Sequence, residues 1–163
     1  MRKFIFLFSI TIFFAACKST SVKAKRDLEK DEASSLIEQI INTASEYLGA
    51  PYQLAGTTKS GFDCSGLVFS VLKEFGINLP RTSIEQSKTG IDLGSNLSKA
   101  KKGDLIFFRT NQSNKINHVG IVVNIKDDDI FFIHTSSSKG VIISSTKEPY
   151  YQKTFVQLTR ILP

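Results

Sequence analysis

Cys64 stands in the run Gly61-Phe62-Asp63-Cys64-Ser65-Gly66-Leu67-Val68, at the point where apolar residues take up helical spacing. A thiol at a helix start can serve as a nucleophile, because unpaired N–H groups and the helix dipole favour its ionised form. Gly66 costs about 1 kcal/mol relative to alanine inside a helix and lets another group come close to the backbone. Thiol catalysis also needs a base and a third group to orient that base. The chain contains only two histidines. His118 opens the β-like run "HVGIVVN" and His134 closes "IFFIH", with the turn-forming "KDDD" between them. A simple hairpin centred on Lys126 sets the two imidazoles opposite each other on one face, unless a bulge intervenes. Together these residues suit nucleophilic acyl transfer, with His118 as base and His134 as orienting residue. Two other readings stay open: Cys64 as a small buried hydrophobe, and a metal site, for which the ligand spacings are unfavourable.

The elements that must hold these residues can be read from periodicity. Ser35 and Glu38 form a capping-box signature, followed by Leu36, Ile37, Ile40, Ile41, Ala44 and Leu48 at helical spacing, with Gly49 and Pro51 as stops. A second helix is expected from Cys64 to Phe75, with Asp63 as N-cap, Gly76 as terminator, and Leu67, Val68, Val71, Leu72 and Phe75 buried. Residues 81–100 read as loop with a helical turn. Short β-rich runs follow at 105–108, 119–125, 130–134, 141–144 and 155–161. Helices first and strands afterwards indicate an α+β fold.

The chain has 163 residues, 41% of them apolar, which suits a single folded domain. Its beginning reads as an export signal. Arg2 and Lys3 precede the apolar stretch Phe4–Ala16, which falls short of the roughly 20 residues a membrane-spanning helix needs. The ending Phe14-Ala15-Ala16-Cys17 resembles a bacterial lipobox, in which the signal is cut before the cysteine and that thiol takes up lipid. Lipidation of Cys17 removes the one disulfide partner available to Cys64. Lys18–Glu32, charged and polar, reads as a flexible linker. The expected organisation is therefore a signal over residues 1–16, a lipidated cysteine and linker over 17–33, and a folded domain over 34–163. The net charge of +6 falls to +4 once Arg2 and Lys3 are removed, 19 basic against 15 acidic residues. That balance, with no basic run carrying aromatics, argues against nucleic-acid binding.

The segments "YLGAPYQLAG", "GFDCSGLV", "LPRTSIEQ", "KKGDLIFF", "HVGIVV" and "FFIHTSSSKGVIIS" together resemble the NlpC/P60 family of cell-wall cysteine peptidases. The lipobox and "GVIISSTKEPYYQKTF" are similar to its branch of small murein endopeptidase lipoproteins. The resemblance implies a papain-like core, with N-terminal helices packed on a central antiparallel sheet of about five to six strands. It implies Cys64 as nucleophile, His118 as general base and His134 as third residue. Tyr52 would share the oxyanion with the Cys64 backbone N–H, and Asp63, Ser65 and Arg81 would shape the peptide site. The implied substrate is an amide of peptidoglycan stem peptides, with the D-alanine to diaminopimelate cross-link favoured over the γ-D-glutamyl to diamino acid bond. A non-catalytic wall-binding lipoprotein and an amidase or acyltransferase are the rival readings. No cofactor and no metal is called for. The protein is expected to be a monomer in the bacterial cell envelope, anchored by lipid on Cys17, with the outer membrane facing the periplasm favoured.

Overall fold

The computed structural model describes residues 17–162; the export-signal reading falls on residues outside that range. The chain divides into a segment ending at Glu32 and a compact unit from Ala33 onward. Helix α1 spans Cys17–Ser45. The linker expectation is corrected here, since residues 17–32 are helical, and side chains Val22–Glu32 are exposed. Lys, Arg, Glu and Ala are good helix formers, and Lys25 and Glu29 sit at i,i+4 spacing, 3.8 Å apart. Ser35 accordingly lies inside the helix and caps nothing; its hydroxyl accepts from the Gln39 side chain.

From Ala33 the elements are the remainder of α1, a small ribbon of β1 (Thr57–Thr58) and β2 (Gly61–Phe62), helices α2 (Cys64–Glu74) and α3 (Ser83–Gln86), strand β3 (Ile91–Gly94), a 3₁₀ turn at Leu97–Lys99, strands β4 (Leu105–Phe108), β5 (His118–Lys126), β6 (Asp129–Ser136) and β7 (Gly140–Ser145), helix α4 (Pro149–Thr154) and strand β8 (Phe155–Arg160). Six strands form one antiparallel sheet in the order β3-β8-β4-β5-β6-β7. This is the expected α+β architecture. Strand β3 and helix α4 carry no long apolar run, and the sequence reading passed over both.

Strand β4 is buried along its whole length because both sheet faces are covered. Leu105 and Phe107 join Ile40, Ala44, Leu67, Val68, Val71, Leu72, Val119, Ile121 and Ile133 in the core on the helix side. Ile106 and Phe108 join Val122, Ile130, Phe132, Tyr151 and Leu158 on the other side. Helix α2 packs on β5 and β6 through its fully buried stripe of Leu67, Val68, Val71 and Leu72. Asp63 caps it by accepting from the Gly66 N–H at 2.6 Å, and Gly76 ends it at φ +74°.

The β5–β6 hairpin differs from the simple one expected. Its turn is Asp127–Asp128, with Asp127 at φ 57°, and Lys126 pairs with Asp129. A bulge then lies between Val122 and Asn124, beyond which Ile121 pairs with Ile133. Continued along the ladder, this register sets Gly120 opposite His134 and His118 opposite Ser136. The two histidines are diagonal neighbours on one face, a spacing their rings can bridge.

Candidate active site

A cleft of about 290 Å³ lies where the start of α2 meets the start of β5. Tyr52, Asp63, Cys64, Asn117, His118, His134 and Tyr151 all line it. Cys64, the first residue of α2, reaches it from the helix side of the sheet, and its Sγ lies 3.8 Å from the Asn117 carbonyl oxygen. The histidines reach it from the other side, among the aromatic rings of Phe108, Phe132 and Tyr151. Thr135, next to His134, donates to the Asp63 carbonyl at 3.4 Å and so ties β6 to the helix start.

His118 Nε2 and His134 Nδ1 are 3.0 Å apart, with the two rings nearly perpendicular. Glycine at position 120 is what permits this. A Cβ there would stand 2.8 Å from the Ile133 carbonyl oxygen and 3.2 Å from the His134 Cβ. His134 is completely buried. Its Nε2 lies 3.1 Å from both Ser144 Oγ and Tyr151 Oη. The sequence reading missed Ser144 and Tyr151. Neither stands near the other site residues in the chain, and Tyr151 is placed by α4.

Burial sets the electrostatics. It pushes His118 down to about 4 and His134, which also feels the charge of His118, down to about 3. It also raises the Cys64 thiol, against the N–H groups of Val119, Ser65 and Cys64 itself; the Asp63 carboxylate adds to the rise. The expectation of a thiol acidified by its helix start is therefore corrected: desolvation outweighs the helix N–H groups. Both shifts favour the uncharged forms, thiol and neutral imidazole.

Asp63, Ser65 and Arg81 form one network. Arg81 donates from Nη1 and Nη2 to the two Asp63 oxygens at 2.9 and 2.7 Å, and from Nη1 to Ser65 Oγ at 3.0 Å. Burial works to raise the Asp63 carboxyl, but Arg81, the Gly66 N–H and Ser65 together hold it below the usual range. Asp63 borders the cleft, while Ser65 and Arg81 do not line it. What approaches Gly66 so closely is the Gly56 carbonyl, on which an added Cβ would collide; that carbonyl also accepts from Arg81 at 3.3 Å and from the Asp63 N–H at 3.2 Å. The network braces the loop after Tyr52 against the seat of Cys64. Tyr52 is 40% exposed, and its hydroxyl has no hydrogen-bond partner among the described residues. Among those residues no three His, Cys, Asp or Glu side chains cluster as a metal site would require.

A sulfur on a helix start and an imidazole pair carried by an antiparallel sheet, all bordering one cleft, give the site a papain-like layout. Residues 49–160 match the model of the NlpC/P60 family, and the chain belongs to that family. It is 36% identical over 151 residues to the probable endopeptidase NlpC homolog of Haemophilus influenzae, covering 83% of this chain and 76% of the relative. It is 38% identical over 125 residues to the murein DD-endopeptidase MepS/murein LD-carboxypeptidase of Escherichia coli K12, covering 76% of this chain and 62% of that protein. Among solved structures, an NlpC/P60 family protein from Bacillus cereus superposes with a TM-score of 0.69 at 35% identity, over 78% of this chain and 40% of that one.

Proposed function

We propose that this protein is a peptidoglycan endopeptidase that hydrolyses an amide of stem peptides or their cross-links through Cys64, His118 and His134. The observation that carries the proposal is the shared cleft, with Cys64 and His118 in its wall and His134 3.0 Å behind His118. His118 uses Nε2 toward His134, which leaves Nδ1 as the nitrogen free to take the thiol proton. Sγ attacks the scissile carbonyl as its proton passes to His118 Nδ1, forming the S–C bond and a tetrahedral oxyanion. Tyr52 Oη and the Cys64 N–H hold that oxyanion. Collapse breaks the C–N bond while His118 returns its proton to the departing amine. Water then attacks the thioester with His118 as base, releasing the acid and restoring the thiol.

The favoured bond is the D-alanine to diaminopimelate cross-link, in keeping with the name of the Escherichia coli relative. We further propose that Cys17 is lipidated and that the protein works in the cell envelope, on the outer membrane facing the periplasm; the lipobox supports this. Radiolabelled palmitate incorporated by the parent and not by Cys17→Ala tests the anchor. For the reaction, purified protein from Ala33 onward is incubated with isolated peptidoglycan and the muropeptides are resolved by mass spectrometry. Loss of dimers with monomer stems intact supports the cross-link. Shortened monomers point to the γ-D-glutamyl bond, and an unchanged profile favours a wall-binding protein.

A further inference from the structure

His134 is the innermost of the three site residues, and its protonation pattern is dictated from behind. In the mechanism proposed above, His118 Nδ1 must present a lone pair to the thiol, so the proton of neutral His118 sits on Nε2. That N–H points at His134 Nδ1, 3.0 Å away, which must therefore be an acceptor. A neutral imidazole has one donor and one acceptor nitrogen, so His134 must carry its own proton on Nε2. Buried as it is, that N–H needs an acceptor, because an unsatisfied buried donor bears the full desolvation cost.

Two acceptors are supplied where one would serve. Ser144 Oγ on β7 and Tyr151 Oη on α4 both stand 3.1 Å from His134 Nε2. Each hydroxyl oxygen has lone pairs free to accept from the His134 N–H. The two residues come from different elements. Ser144 is 5% and Tyr151 8% exposed, and the Tyr151 ring is wedged between Phe108 and Phe132, with centroids 5.2 and 5.0 Å away.

We propose that Ser144 and Tyr151 are redundant positioning residues, a doubled acceptor that locks His134 in its Nε2–H tautomer and thereby keeps His118 Nδ1 free to take the thiol proton. Neither touches the reacting atoms in this role. With both removed, the buried Nε2–H has no partner, and His134 gains by moving its proton to Nδ1. Two N–H groups would then face each other between the rings unless His118 shifts its proton to Nδ1, where it cannot accept from the thiol.

The proposal rests on the proposed function for its kinetics but not for its spectroscopy. Tyr151→Phe and Ser144→Ala each leave one acceptor, so each lowers kcat by about fivefold or less, the scale of one hydrogen bond. The double variant falls by about 100-fold or more, the scale on which a wrongly protonated base loses general-base catalysis. Its loss therefore greatly exceeds the product of the single losses, while KM stays within about twofold. Nitrogen-15 NMR of ring-labelled protein reads the tautomer directly: His134 protonated on Nε2 in the parent and both single variants, and on Nδ1 in the double variant. The proposal is overturned if the double variant keeps its Nε2 proton, if its kcat loss is merely the product of the single losses, or if the parent carries the proton on Nδ1. Should the double variant not fold, the single variants decide. Each keeps the Nε2 proton with faster exchange if the acceptors are redundant, and a single variant with His134 protonated on Nδ1 overturns the idea. If no peptidoglycan bond is cut at all, the function reading fails while the tautomer measurement still stands.

Discussion

Gly120→Ala is a change of one methyl group, far from any cap or turn, that should disable the site through the His118–His134 contact. An alanine Cβ at this position would lie 2.8 Å from the Ile133 carbonyl oxygen and from Phe132 Cδ2, the first held by the β5–β6 ladder and the second on a ring packed against Phe108 and Tyr151. Ordinary contact needs about 3.4 Å, so β5 and β6 must separate locally by roughly half an ångström, at a cost of about 1–3 kcal/mol as overpacking usually exacts. The same displacement stretches the His118 Nε2 to His134 Nδ1 distance from 3.0 Å to about 3.5 Å, beyond hydrogen-bonding range. A misplaced base of this kind loses about 10²-fold in kcat. Steady-state hydrolysis of a purified cross-linked muropeptide gives kcat, and urea unfolding gives stability on the same samples. An alanine variant that keeps kcat within about twofold of the parent with an unchanged urea midpoint refutes the claim that Gly120 spaces the histidines.

Both histidines bind protons more weakly folded than unfolded, with values near 4 and 3 against the ordinary 6.5. Stability is therefore full above about pH 6.5 and is lost as pH falls toward 4 for His118 and 3 for His134. His118 alone accounts for roughly 3 kcal/mol of this loss, and urea midpoints at pH 7.5 and pH 4.5 check it. Since the base must be unprotonated, kcat/KM should hold down to about pH 5 and fall tenfold per unit only below about 4; an acid limb centred near 6.5 contradicts the burial argument. Asp63→Asn keeps an acceptor for the Gly66 N–H but removes the charge that raises the Cys64 thiol. Iodoacetamide should then label Cys64 faster at pH 7, while the broken pair with Arg81 costs about 1–3 kcal/mol of stability in thermal unfolding.

Much of the architecture could be read from the residues because the helix and strand patterns are strong. The apolar stripe of α2, its Asp63 cap and its Gly76 stop are local signals, and the structure has each in place. The runs at β4, β5 and β6 are dense in Val, Ile and Phe, which suits strands buried on both faces over most of their length. What escaped was non-local or weakly patterned. Strand β3 is mostly exposed, so its sequence carries no burial signal. The bulge between Val122 and Asn124 moves the histidines from opposite to diagonal, and no residue type announces it. Tyr151 reaches His134 only because α4 folds back beside β6, and Ser144 because β7 pairs with it. The raised Cys64 thiol depends on burial beneath the cleft, which the helix-start argument does not contain. The helical course of residues 17–32 shows the opposite case, where good helix formers prevail with no apolar stripe to bury.

The central claim is that the Cys64 sulfur becomes covalently acylated by a peptidoglycan stem peptide. Rapid mixing of the protein with a cross-linked muropeptide, acid quench within a turnover and intact-mass spectrometry test it directly. The account predicts a thioester adduct with the mass of the acyl half of the substrate, mapped by peptide digestion to Cys64 and absent in Cys64→Ala, which also fails to cleave. Cleavage by Cys64→Ala at the parent rate, with no adduct on the parent at any quench time, would contradict it.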